Sequence, residues 1–221
     1  MAKSKKMIPL FLLPETVVFP EMNLPLHIFE ERYKTLVSDC LKKDNKFGIV
    51  LARANNLCAK VGTIVEIIDV ENLEEGLMNI LIEGKERFEI LSFLTEEPYH
   101  VAEILPYEDP DIAVDEELEA YLKQIKKLTS KALKTLDLIS DKENLKKIRL
   151  PRKPIELLYL IATNLTCSPE SKQTIQEPRS IKERAEKIEP LLHEEIQKLN
   201  VMLENKKTKK SVETNGKLKI H

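Results

Sequence analysis

Histidine and cysteine are the side chains here that could hold a metal ion or attack a substrate, and their spacing predicts neither role. The chain has four His and three Cys residues. They are His27, His100, His193, His221, Cys40, Cys58 and Cys167. No two His have the spacing of ligands on one helix and no Cys-x-x-Cys pair occurs, so we predict no metal site and no disulfide framework. Isolated Cys residues are typical of a reducing compartment, and we expect a cytoplasmic protein.

Motifs for nucleophilic catalysis and for phosphate binding are also missing. Ser130 and Lys131 are adjacent, but they fall on a predicted amphipathic helix, on the side that faces solvent, so we interpret them as a chance pair. Gly84 and Lys85 are followed by Glu86, and no Gly lies five residues upstream. A loop that cradles phosphates is therefore not predicted. We predict no catalytic residue, no cofactor and no enzymatic activity.

The composition is that of a globular protein with a basic C-terminal end. Apolar residues make up 42% and charged residues 33% of the chain, and the net charge is −2, which does not favour nucleic-acid binding by the whole chain. No segment reaches the roughly 18 apolar residues of a membrane span, so no membrane partner is predicted. Residues 205–221 carry six Lys and one Glu, which predicts a disordered tail. RNA binding through this tail is the alternative function.

Residues 8–37 contain the densest pattern in the sequence. Three short apolar runs, at 8–13, 16–19 and 24–29, are each bounded or broken by proline. Because proline fixes φ and cannot donate to a sheet, each run predicts a short strand or an extended arm. From Phe29 onwards apolar residues recur every three or four positions, which indicates one face of a helix. We therefore predict strand, strand, extended arm and helix in this order.

Glycine and phenylalanine divide the chain into two halves. All six Phe and four of the five Gly residues lie before residue 94, which is typical of β structure. Apolar runs in this half predict strands at 47–52, 61–70, 77–82, 88–93 and 100–105. The second half lacks Gly until Gly216 and shows helical periodicity, with Pro190 expected to kink or split the last helix. We predict a mostly antiparallel β domain with one helix over 7–110 and a helical bundle over 111–204.

The longest motif in the sequence is PLFLLPETVVFPEMNLPLHIFEERY, and VGTIVEI and IEGKERFEI follow it. These motifs resemble the Lon substrate-binding domain. The matching positions of the first are Pro9, Leu10, Leu12, Val18, Phe19, Pro20, Leu24, Pro25, Leu26, Ile28, Phe29, Glu30, Arg32 and Tyr33. Two positions depart. Leu13 stands where the family often has another residue after Pro-Leu, and Glu21 stands where it usually has Gly, which suggests a positive φ that Glu tolerates poorly.

The resemblance implies an α+β fold in which a PUA-like pseudo-barrel with one helix precedes an α-helical bundle. It also implies binding of unfolded or degron-bearing polypeptides by a non-enzymatic adaptor or chaperone-like protein. The ATPase and Ser-Lys peptidase segments of full-length Lon have no counterpart in this sequence. A separate protease or chaperone is therefore a further expected partner.

Candidate polypeptide-binding residues lie in and beside a predicted surface loop over 20–25. A site for unfolded chains needs apolar side chains that are open to solvent. Met also adapts to varied partners. The candidates are Phe19, Pro20, Met22, Leu24 and Pro25. For Phe19 and Leu24, burial in the core is an equal alternative.

Overall fold

The structure is a computed structural model that describes residues 4–54, 57–109, 115–140 and 149–217. The first half contains β1 (Lys6–Leu13), β2 (Asn23–Ile28), α1 (Glu31–Leu41), β3 (Lys46–Leu51), β4 (Val61–Asn72), β5 (Met78–Thr95) and β6 (His100–Pro106). The second half contains α2 (Glu116–Ile139), α3 (Pro154–Asn164), α4 (Pro169–Gln176) and α5 (Ile181–Lys217). This order confirms the predicted α+β class. The predicted boundary at 110/111 lies outside the described residues.

Five of the six strands form a closed ring. The sheet order is β2-β5-β4-β3-β1-β6, and β5 also pairs with β6. The ring closes because β5 is 18 residues long: its first part pairs with β4, and its last part pairs with β6. Strands β1 and β3 are parallel, and the other pairs are antiparallel. Within the described residues, strand β2 pairs with β5 alone, so one of its edges is free of other strands there.

The structure corrects the N-terminal prediction in three places. Residues 16–19 are an irregular, largely buried connection rather than a strand. Residues 24–29, predicted as an extended arm, mostly form β2, because a proline is tolerated on an edge strand where its missing N–H would face solvent. Helix α1 begins at Glu31, so Phe29 lies before it and is exposed rather than on the buried face.

Apolar packing joins the two halves. The barrel interior is filled by side chains such as Phe88 and Ile104, and α1 packs across the sheet through residues such as Leu36. The largest cluster is formed mainly by the four C-terminal helices, but it also includes Val17 and Phe19 from the N-terminal connection. The connection over 16–19 is therefore buried between the barrel and the helices.

The last helix corrects two further predictions. Pro190 was expected to kink or split α5, and the helix is not split there: it continues past Pro190, with Ile188 and Leu192 on either side buried in the helical core. Residues 205–217, predicted to be disordered, continue the same helix. Lys206 Nζ donates to the carbonyl oxygen of Ile139 at 2.6 Å, which ties the start of this extension to the end of α2. Residues 218–221 lie outside the described part of the chain.

Candidate polypeptide-binding surface

The backbone leading into β2 is held by hydrogen bonds from both halves of the molecule. The carbonyl oxygen of Val18 accepts from Thr63 Oγ1 at 2.5 Å and from Gln176 Nε2 at 2.8 Å. Glu21 N donates to the carbonyl oxygen of Gly84 at 2.7 Å, and Gly84 N donates to that of Met22 at 2.9 Å. The chain therefore enters β2 along a fixed path.

Glycine at position 84 makes this path possible. A Cβ at Gly84 would overlap the carbonyl oxygen of Phe19, so only glycine lets the two backbones cross this closely. The positive φ suspected at Glu21 is confirmed at 66°. Glu21 thus keeps the turn that a glycine would favour, and the local hydrogen bonds to Gly84 offset the strain.

The structure separates the five predicted binding residues. Phe19 is 0% exposed and packs in the core, as the alternative for this residue had it, so its side chain offers no surface to a ligand. Pro20, Met22 and Leu24 are half-buried, and Pro25 is exposed. Met22 touches both the helical cluster and the cluster beneath α1. Four of the five candidates therefore have side-chain surface that a ligand could reach.

Alternation along β2 gives it an inner and an outer face. Leu24 and Leu26 are half-buried and Ile28 is buried, so these three pack inward, while Pro25 and His27 point outward and are exposed. The same alternation places Phe29 on the outer side, where it is 62% exposed. Sequence reasoning missed Phe29 because it was assigned to the helix. The period of two through Pro25, His27 and Phe29 is the signal that identifies it.

His27 is fixed on the outer face by a chain of polar side chains. Its Nδ1 lies 2.8 Å from Asn79 Oδ1, and Asn79 Nδ2 donates to Glu71 Oε2 at 2.8 Å. The His27 and Phe29 rings are 6.2 Å apart and stacked. His27 is therefore a hydrogen-bonded residue of this face. We use the name β2 edge surface for the accessible residues Pro20, Met22, Leu24, Pro25, His27 and Phe29.

A buried ion cluster lies between the barrel and the helices. Asp109 Oδ1 is 2.7 Å from Arg87 Nη2 and 2.8 Å from Arg184 Nη1. Tyr159 Oη donates to Asp109 Oδ2 at 2.8 Å. Arg87 and Arg184 also donate to the carbonyl oxygen of Pro178. Burial lowers the pKa of Arg87 and raises the pKa of Tyr159 to about 12.

This buried cluster has the position of a structural contact rather than of a reactive site. The guanidinium groups of Arg87 and Arg184 are almost inaccessible to solvent. The carboxylate that pairs with Arg87 is that of Asp109. In the part of the chain that the structure describes, no three His, Cys, Asp or Glu side chains are grouped as a metal site.

The family model for the ATP-dependent protease La (LON) substrate-binding domain matches residues 7–194. The chain belongs to this family. Among its relatives, the Lon protease of Syntrophus aciditrophicus is 28% identical over 209 residues, which cover 90% of this chain and 26% of that protein. The Lon protease of Flavobacterium johnsoniae is 27% identical over 203 residues, which cover 88% of this chain and 25% of that protein. The chain thus spans about a quarter of the length of these relatives.

Two solved structures share the fold of this Lon substrate-binding domain. The N-terminal domain of a Mycobacterium avium complex Lon protease has a TM-score of 0.66 and 17% identity, covering 85% of this chain and 98% of that one. A Lon N-terminal domain protein from Xanthomonas campestris has a TM-score of 0.61 and 22% identity, covering 82% and 95%. Within the described ranges, no helix is long and apolar enough to cross a membrane.

Proposed function

We propose that this Lon substrate-binding domain binds unfolded or degron-bearing polypeptides at the β2 edge surface, and that it does so without catalysis, as a cytoplasmic adaptor or chaperone-like protein. The observation that carries the proposal is that Pro25 and Phe29 share the exposed outer face of β2, with the half-buried Met22 just before the strand, on a backbone that is fixed. Solvent-exposed aromatic and apolar side chains on a rigid element can bind apolar segments with little loss of conformational entropy.

The side chains of this surface suit ligands of varied sequence. Met22 is unbranched and can adjust to differently shaped partners. Phe29 offers a large ring that an unfolded chain can cover. No deep pocket is needed for such contacts, and an unfolded polypeptide presents no fixed shape that a pocket could match. A captured chain would then pass to a separate protease or chaperone.

A second apolar feature of the structure serves as the rival site. A cleft of about 440 Å³ lies between α2, α3 and α5. Its apolar walls include Leu133, Leu136, Leu150 and Leu199. The cleft belongs to the helical half, so it can be tested separately from the β2 edge surface.

The proposal is tested by binding of a permanently unfolded protein, such as reduced and carboxymethylated lactalbumin. Phe29→Asp should weaken binding by roughly ten- to a hundredfold, because burying a Phe side chain contributes about 1.5–3 kcal/mol. Val201→Asp is the matched control, since Val201 on α5 is 61% exposed. Leu136→Asp tests the helical cleft. Circular dichroism and thermal unfolding verify that each variant is folded.

The outcomes separate the two surfaces. Loss of binding in Phe29→Asp alone supports the proposal. Loss in Leu136→Asp with full binding by Phe29→Asp would move the site to the helical cleft and overturn it. If the unmodified chain binds no unfolded protein at all, the proposed function itself is wrong.

A further inference from the structure

We infer that the β2 edge surface takes an extended polypeptide by strand addition, and that it prefers segments in which basic residues alternate with apolar ones. The inference rests on the proposed function and specifies both the binding mode and the class of segment. Three observations carry it: the free backbone edge of β2, its apolar outer face, and the negative charge that surrounds it.

The hydrogen-bond register shows which backbone groups of β2 are free. Gly84 N donates to the Met22 carbonyl, and Leu24 stands opposite Ile82 in the same register. Hydrogen-bonded pairs alternate in antiparallel sheets, so Leu24, Leu26 and Ile28 face β5. The N–H and C=O groups of the intervening residues point away from β5. Those residues are Asn23, Pro25 and His27, and all three are exposed.

Pro25 limits what this edge can accept. Asn23 and His27 each offer an N–H and a C=O, whereas Pro25 offers only its carbonyl oxygen. A missing donor in the middle of an edge strand is a common device against indiscriminate pairing of sheets. The edge is therefore suited to a single short extended segment rather than to continuous growth of the sheet. Main-chain hydrogen bonds give such binding tolerance for sequence.

The charge around β2 selects among extended segments. The two stretches 21–34 and 66–85 contain β2, the start of α1 and the β4–β5 hairpin, with nine acidic and three basic side chains. Their net charge is −6, whereas the whole chain carries −2. The three basic residues are already paired: Arg32 with Glu30, Lys34 with Glu31, and Lys85 with Glu66 and Glu83.

Several carboxylates near the edge therefore remain for a ligand. Glu21 lies just before β2, Glu74 and Glu75 lie in the turn between β4 and β5, and all three are exposed. Among the described residues, no basic side chain forms an ion pair with any of these three. Lys or Arg on a bound strand would meet this negative field, while apolar residues at alternate positions would contact Pro25 and Phe29.

Backbone pairing is tested with peptides rather than with protein variants. Two labelled peptides of the same alternating Lys/Val sequence carry N-methyl groups on alternate residues, in opposite phases. In an added strand only one set of N–H groups faces β2, so one phase should bind at least tenfold more weakly than the other in fluorescence anisotropy. Equal binding of the two phases overturns strand addition, even if unfolded proteins still bind and the proposed function stands.

Charge selection is tested with a matched peptide and a matched variant. A Glu/Val peptide with the same apolar positions should bind at least tenfold more weakly than the Lys/Val peptide at low salt. The ratio of the affinities for the two peptides should fall several-fold in the double variant Glu74→Lys, Glu75→Lys. The same ratio should not change in Glu204→Lys on α5. Equal affinity for both peptides overturns the preference for basic segments.

A second copy of this chain is the remaining occupant to exclude. Analytical ultracentrifugation with and without the Lys/Val peptide distinguishes it. A monomer that binds one peptide supports the inference. A dimer that the peptide does not dissociate, and that Phe29→Asp does dissociate, would show that the edge pairs with another copy and would overturn it.

Discussion

The buried ion cluster and the β2 edge surface both contain charged and aromatic side chains, but their polar groups are partnered in different ways. At the ion cluster, Arg87, Arg184 and Tyr159 all contact Asp109, and the two Arg also donate to backbone carbonyls. At the edge surface, the His27 side chain is fixed, but no strand among the residues that the structure describes pairs with one row of the β2 backbone groups. The first region stabilises the contact between the halves, and the second leaves hydrogen-bonding capacity for a ligand.

Removal of the Asp109 carboxylate, which Arg87, Arg184 and Tyr159 share, should cause the largest loss of stability. Asp109→Ala leaves two buried guanidinium groups without a counter-charge, so we expect the free energy of unfolding to fall by about 3–4 kcal/mol. Urea denaturation measures it. Glu119→Ala, which breaks the exposed ion pair with Lys123, is the control and should cost less than about 1 kcal/mol. Similar losses in both variants would contradict the structural role of the cluster.

Substitution of Gly84, beneath the β2 edge surface, should cause the next largest loss of stability. Gly84→Ala places a Cβ against the Phe19 carbonyl, and we expect a loss of about 2–3 kcal/mol together with weaker polypeptide binding. Gly76→Ala is the comparison: an added Cβ there meets nothing closer than 4.0 Å, but φ is +70°, so the cost should be about 1 kcal/mol. If Gly84→Ala binds unfolded protein as tightly as the unmodified chain does, the close approach of Gly84 to Phe19 is not required for binding.

High pH should lower the stability of the folded chain through the buried ion cluster rather than through the β2 edge surface. Burial raises the pKa of Tyr159 from 10.0 to about 12, so the folded state favours the neutral phenol. This contribution is complete below pH 10 and is lost as the pH rises from about 10 to 12. The free energy of unfolding should fall through this window by up to about 2 kcal/mol more than in Tyr159→Phe. Identical pH profiles would show that Tyr159 titrates normally.

Deletion of the C-terminal extension of α5 should have the smallest effect on stability. Deletion of residues 205–221 removes the hydrogen bond from Lys206 to Ile139 but no member of the main apolar cores, so the thermal midpoint should shift by only about 1–2 °C. Binding of unfolded protein should not change. If the deletion instead abolishes a salt-sensitive affinity for RNA, the alternative function of the basic end gains its support.

The sequence predicted those parts of the fold that depend on local pattern. Alternation and apolar runs located β3, β4 and β6, and helical periodicity located α2, α3 and α5. The prediction separated β5 into two strands because Gly84 interrupts its pattern. Glycine is present there for the close crossing with Phe19, a contact 65 residues away in the chain.

The candidate site was predictable to a similar extent. Pro20, Met22, Leu24 and Pro25 were chosen as candidates because they are apolar residues in a predicted surface loop. The burial of Phe19 could not be read locally, since the helices that cover it come from the second half of the chain. The free edge of β2 could not be predicted from local sequence either, because it depends on which strands pair across the whole barrel.

The distant pairings also set an order in which the molecule can form during synthesis. Lys6 in β1 stands opposite Ile104 in β6, and the Val18 carbonyl receives one of its hydrogen bonds from Gln176. A growing chain therefore cannot close its barrel until β6 has left the ribosome, and the connection beneath β2 is not fully anchored until α4 follows. Pairings this far apart in sequence form slowly. A partly synthesised chain thus exposes an unpaired edge on β1 as well as on β2, which makes it an aggregation-prone species of the kind that chaperones protect.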